Sequence, residues 1–165
     1  MTAPFQFVCT GRYVDADLEL ALAQTTLADP VRKYVPAYEF DMRATGSTTK
    51  IGSIRLRIGR TRPLIGWCGH IGYEVDEKAR GRRYAARSCR LLFPLAYAHG
   101  LRTLWITCDP RNMASRRTCE IAGGTYVNTV RVPKGTGMYE AGRRWVRRYR
   151  FALGELLSNP PAVRR

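Results

Sequence analysis

Between Glu74 and Leu92 the chain reads EVDEKARGRRYAARSCRLL, which places Lys78, Arg80, Arg82, Arg83, Arg87 and Arg90 where a strand-like segment passes into an amphipathic helix. A helix start already exposes N–H groups without intrahelical partners and carries a partial positive charge. Six more cations are tolerable there only if an anion settles among them. A phosphate meets the requirement, because it can take backbone N–H donors from a tight turn, the helix dipole, and charge-assisted contacts from guanidiniums. Gly81 supplies the small residue such a turn needs.

Two further groupings have chemical potential. Asn112 and Ser115, in DPRNMAS, have the spacing of a helix cap. In WCGHIGYEV, a strand puts His70, Gly72 and Glu74 on one face and Ile71, Tyr73 and Val75 on the other, so His70 and Glu74 are its titratable groups. The five cysteines, Cys9, Cys68, Cys89, Cys108 and Cys119, form an odd set with no C-x-x-C pair, and only His70 and His99 are available as companion ligands. Neither a disulfide framework nor a metal site is expected, and the thiols read as small buried hydrophobes of a reducing compartment.

The elements that must position these residues alternate along 165 residues, 45% of them hydrophobic, which suits one domain over 1–155 with a disordered tail over 156–165. Asp15 is expected to cap a helix carrying Leu18, Leu20, Ala21, Leu22 and Leu27 and stopped by Pro30, with a second short helix over Val31 to Tyr34. Strands follow at AYEFDMRA, KIGSIRLRIG and WCGHIGYEV. Ala85, Cys89, Leu92, Phe93 and Ala96 then recur at helical intervals up to His99 and Gly100, with Pro94 bending the last turn. LRTLWITC is a strand, DPRNMASRRTCEIAGG a turn and helix closed by Gly123 and Gly124, and TYVNTVRV and RRWVRRYRFAL are two more strands. The helical crossover makes the third and fourth strands parallel neighbours in a mixed sheet.

Strand, RGRRYA, helix, and then ITCDPRNMASRRTCEIAGG together resemble the GNAT superfamily of acyl-CoA-dependent N-acyltransferases, over essentially the whole chain except the tail. The resemblance implies an α/β (α+β) fold: a mixed, mostly antiparallel sheet with a parallel splayed strand pair and helices on both faces. It implies transfer of an acetyl group from acetyl-CoA to an amine, by direct attack on the thioester. In the family an R/Q-x-x-G-x-G/A turn wraps the coenzyme A pyrophosphate, which assigns cofactor binding to Arg80, Gly81, Arg82, Arg83, Tyr84 and Ala85. Arg83 stands where the family has Gly, so the turn either avoids left-handed geometry or grips the phosphates less closely.

Asn112 and Ser115 correspond to the residues that hold the pantetheine arm and the phosphate-bearing end, with capping as a concurrent role. A backbone N–H between Tyr73 and Val75 corresponds to the donor for the thioester carbonyl. Glu74 and His70 are the candidate bases, beside water-mediated deprotonation. Where many members carry a Tyr proton donor, this chain has Cys119, with Tyr139 as a substitute. No metal is implied.

Net charge is +15, and residues 51–165 hold 23 basic and seven acidic side chains against five and six before them. That asymmetry suits an anionic partner, so a basic nucleic-acid-binding module is the rival class, and a coenzyme A binder without transferase activity is a third reading. The acceptor site is expected between an acidic wall of Asp15, Asp17, Glu19, Glu39 and Asp41 and the KGTGMYEAGRR loop, favouring a cationic amine, or else facing Arg143, Arg144, Arg147 and Arg148. No apolar run reaches the roughly 20 residues of a membrane helix, and the first residues lack a secretory pattern, so a cytoplasmic monomer or homodimer is expected.

Overall fold

Leu18 and Leu20 are two residues apart, and that spacing, rather than the cap at Asp15, decides the first element. Tyr13–Asp15 (β1) and Leu18–Thr26 (β2) form an antiparallel hairpin turned at Ala16 and Asp17, with Ala16 left-handed at φ 51°. Leu18 and Leu20 are buried while Glu19 between them is turned outward, the alternation a strand imposes. The expected helix from Asp15 is therefore a hairpin. The second expected helix is a turn in which Asp29 and Tyr34 exchange backbone hydrogen bonds and the Asp29 carboxylate accepts from Val31 and Arg32 N–H.

These are seen in a computed structural model that describes residues 4–8 and 11–162, so Cys9 and the end of the expected disordered tail lie outside the described residues. The hairpin continues as the expected meander through Ala37–Ala44 (β3), Lys50–Arg57 (β4) and Ile71–Val75 (β5), in sheet order β1-β2-β3-β4-β5. Phe40, Met42, Ile54, Leu56 and Ile71 bury one face of this sheet. Against it packs Tyr84–Ala98 (α1), which buries Cys89, Leu92, Phe93 and Ala96 and runs through Pro94 to its end at His99. These elements form one compact unit, Met1–Gly59 with Ile71–Leu101.

The other unit is Arg60–His70 with Arg102–Arg165. Trp67 and Cys68 belong not to a strand but to a π-helical turn, Leu64–Cys68, started by Pro63 whose φ of −58° already suits a helix. Thr103–Cys108 (β6), Met113–Ala122 (α2), Thr125–Arg131 (β7) and Trp145–Ala152 (β8) follow, with sheet order β6-β8-β7. Gly137–Glu140 (α3) interrupts the β7 to β8 connection. Leu153–Ser158 (α4) occupies the start of the expected tail, because Leu153 is buried and Leu156 packs over Gly123.

All ladders among the described strands are antiparallel, and the expected parallel pair is not among them. Next to β6, His70 N–H donates to Trp105 O at 2.6 Å while Trp105 N–H donates to His70 Nδ1 at 3.0 Å. An imidazole thus accepts where a ladder would use a carbonyl.

Candidate functional site

In the turn before α1, Gly81 lies at φ 86° and Arg83, the N-cap of α1, at φ 57° and ψ 24°, so Arg83 takes the left-handed conformation that a Gly would take, and the expected left-handed-free alternative is not adopted. Arginine has no acceptor with which to cap the first-turn N–H groups. Arg80, Gly81, Arg82 and Arg83 are exposed. Arg80 Nε donates to Val75 O at 3.1 Å, which ties the turn to the end of β5.

Three of the other cofactor or cation candidates face inward. Tyr84 is buried and its hydroxyl donates to Asp17 Oδ2 at 2.7 Å, and Ala85 is buried as well, so each offers the turn only its backbone. Arg87 donates to Asp15 at 2.7 Å and to Asp17 at 2.8 Å, tying α1 to the β1–β2 hairpin. The Tyr84 hydroxyl, and next the Arg87 guanidinium, hold the Asp17 carboxyl below its ordinary pKa.

The polar face of the first sheet carries an open pocket of about 260 Å³ lined by Glu39, Ser53, Arg55, Arg57, Gly72, Tyr73 and Glu74. Its assembly follows from register: Glu39 is opposite Arg55, Arg55 is opposite Gly72, and Ser53 is opposite Glu74. Glu74 is exposed there, while Arg55 donates to Glu39 at 2.6 Å and holds that carboxyl below its ordinary pKa, with Gln24 assisting. The Arg57 guanidinium lies over Gly72, its Nη1 3.7 Å from where a Cβ would stand, an ordinary contact distance. Gly52 lets β4 approach β5 closely, since a Cβ would lie 2.5 Å from Glu74 O. The sequence singles out Tyr73 for its backbone, Glu74 as a base and Glu39 for the acidic wall, but not Ser53, Arg55 and Arg57, whose odd-numbered alternation along β4 was the available signal.

In the second unit, Asn112 caps α2 by accepting from Ser115 N–H at 3.0 Å, so the capping role is realised. Cys119 is fully buried and shares a hydrogen bond with the Cys108 sulfur. That bond foremost, then the Ser115 hydroxyl and the Arg147 and Arg116 charges, lower the Cys108 pKa despite burial. His70 is buried, with Nδ1 engaged by Trp105. Tyr139 is half-buried in α3, an ordered turn rather than a loose loop, with the Arg144 guanidinium 3.9 Å from its ring centroid.

The acids of the expected wall are all paired with cations, Glu19, Glu39 and Asp41 sharing one face of the first sheet. Besides Asp15 and Asp17, Glu19 pairs with Arg12, Glu39 with Arg55, and Asp41 with Lys50 and Arg43, so each carboxylate already has a cation. The helices meant to carry part of the wall are a hairpin and a turn. Arg147 and Arg148 point to opposite faces of β8, and Arg148 is spent on Ile65 O, Asn128 Oδ1 and the Trp105 ring. Among the described residues there is no cluster able to hold a metal ion, and no helix is long and apolar enough to cross a membrane.

Residues 7–125 match the sequence model of the acetyltransferase (GNAT) domain, and the chain belongs to that family. No curated protein sequence matches. Among solved structures the fold is shared with RimL, a ribosomal L7/L12 alpha-N-protein acetyltransferase in complex with coenzyme A, at 15% identity and TM-score 0.60 over 86% of this chain and 98% of that one. It is shared with the ribosomal-protein-S5-alanine acetyltransferase from Vibrio fischeri, at 19% identity and TM-score 0.56 over 70% of this chain. The microcin C7 self-immunity acetyltransferase MccE, in complex with acetyl-CoA and AMP, matches at 15% identity and TM-score 0.52, again over 70% of this chain. The chain spans 61% of the length of each of these last two.

Proposed function

We propose that this chain is an N-acetyltransferase that moves an acetyl group from acetyl-CoA to an amine. The observation that carries the reading is the turn at Arg80–Ala85: a left-handed Arg83 at the head of α1, no capping side chain for the first-turn N–H groups, and exposed arginines beside them. A diphosphate fits that donor set. Asn112 and Ser115, at the start of α2, are the residues assigned to the rest of coenzyme A, and capping does not conflict with that role because Asn112 remains exposed. Family membership is consistent with both assignments.

Chemically, the amine nitrogen attacks the thioester carbonyl carbon, the carbon–sulfur bond breaks, and the amine proton is removed. β5 is the edge of its sheet, so alternate N–H groups over Tyr73 to Val75 point away from β4 and suit the developing oxyanion. Glu74 is the base favoured here, because it lines the pocket and is exposed. His70 is disfavoured: Nδ1 accepts from Trp105, which puts the ring proton on Nε2 and leaves no lone pair there. For the departing thiolate Cys119 is disfavoured because its thiol is fully buried, which leaves Tyr139 as the candidate donor.

The acceptor class is an amine, whether a protein amino group or a small molecule. A thiol-release assay with acetyl-CoA and a panel of both kinds tests the reading. Amine-dependent release is expected, reduced about 100-fold or more in Glu74→Gln; release that no amine stimulates would sink the catalytic reading.

A further inference from the structure

The second unit holds 15 Lys and Arg against four Asp and Glu, and within it β7 and β8 carry four arginines and no carboxylate. The strand period sorts these residues. Tyr126 is opposite Tyr149, Thr129 opposite Arg147 and Arg131 opposite Trp145, so Tyr126, Arg131, Trp145 and Arg147 share one face. Tyr126 and Trp145 are each 44% exposed. The Arg147 guanidinium lies 3.8 Å from the Tyr126 centroid and that of Arg131 5.0 Å from the Trp145 centroid. Acetyl transfer as proposed above uses none of these four residues.

We infer that this face of β7 and β8 binds single-stranded nucleic acid. A guanidinium laid against a ring keeps its N–H edge directed outward, which suits a phosphate, and an exposed indole or phenol offers a surface for an unpaired base. A sheet that presents aromatic rings between cations is a platform for splayed bases, whereas a duplex hides its base faces and would engage only the charge. An acidic peptide would also engage only the charge and gain nothing from the rings. Charge complementarity and exposed rings together therefore select the single strand. RNA and DNA share this chemistry.

Fluorescence anisotropy with the full chain, without acetyl-CoA, distinguishes these partners, using labelled mixed-sequence RNA and DNA strands of about 12 nucleotides and a DNA duplex of equal length, over a salt series. Single strands should bind at least about five-fold more tightly than the duplex, and Trp145→Ala and Tyr126→Ala should each weaken them about five-fold or more. Arg131→Gln should lower the salt slope by about one for strand and duplex alike. The deciding variant is Trp145→Lys, which removes a ring and adds a cation: weaker single-strand binding supports the platform. Tighter binding by Trp145→Lys, or equal affinity for strand, duplex and an acidic peptide, would overturn it. Thermal melts of each variant show whether the fold is retained, and Trp145→Phe, which keeps a ring, should retain most of the affinity even if Trp145→Ala fails to fold. Binding does not require turnover, so failure of acetyl transfer and failure of this surface are separate results.

Discussion

Arg87 stands among the basic residues at the mouth of α1, yet its side chain is turned to the β1–β2 hairpin, and Arg87→Met separates the two roles a cation there can have. The Arg87 side chain is 19% exposed, and those of Asp15 and Asp17 are 46% and 54% exposed. Both acids remain solvated when the cation is removed, so no buried charge is stranded and each pair is worth near the upper end of the exposed range, about 1 kcal/mol. Methionine retains most of the apolar stem. The expected loss is about 1–2 kcal/mol, or roughly 3–8 °C in Tm for a chain of this size. Urea unfolding and thermal melts measure it, and calorimetry with coenzyme A should show affinity unchanged.

The effect also has a pH signature. The Asp17 carboxyl is held below its ordinary value of 3.8, first by Tyr84 and then by Arg87, so its contribution is complete above that value and is lost as pH falls through the lower folded value. The gap in Tm between the native chain and Arg87→Met should therefore persist from neutral pH to about pH 5 and narrow below about pH 4. An unchanged Tm with weakened coenzyme A binding would refute the reasoning and return Arg87 to the phosphates.

Arg83→Gly should stabilise the fold by up to about 1 kcal/mol in urea unfolding, since a left-handed non-Gly residue costs roughly that much; a clear loss would mean the Arg83 side chain contributes more than the strain it imposes. Gly124→Ala should cost about 1–3 kcal/mol, because its Cβ would lie 2.5 Å from Phe151 Cζ and 3.0 Å from Cys119 O, and unaltered stability would contradict the packing of α2 against β8. Arg80→Ala should show the inverse of Arg87→Met, losing at most about 1 kcal/mol of stability with the exposed hydrogen bond to Val75 O while coenzyme A binding weakens by about 1–3 kcal/mol, and a larger fall in stability would make Arg80 structural.

How far the sequence could be read depends on which forces set each element. α1 was legible because Cys89, Leu92, Phe93 and Ala96 repeat at helical spacing and all are buried. The turn before it was legible from Gly81 and the arginines alone, although the left-handed Arg83 was not, because local chemistry favours Gly there and only the surrounding structure holds an arginine in place.

β2 was missed since LELALAQTT suits both periods: Leu18 and Leu22 are a helical turn apart, and Leu18 and Leu20 a strand repeat. Pairing with β3 decided between them, and that is a tertiary effect. For the same reason the acidic residues, read singly, show no partner. Their partners, Arg12, Lys50, Arg55 and Arg87, come from other elements and neutralise them. The pocket was half legible: Glu74 and Tyr73 were found, but Arg57 lies 17 positions from Glu74 and joins it only through the β4–β5 register.

The central claim, that the turn at Arg80–Ala85 holds the pyrophosphate of coenzyme A, is tested most directly by calorimetry that compares coenzyme A with pantetheine, which lacks that group. Coenzyme A should bind at least about 10-fold more tightly, and the advantage should largely vanish in a combined Arg80→Ala, Arg82→Ala chain that melts at the native temperature. Equal affinities for the two ligands, or an advantage that survives the double substitution, would contradict the account.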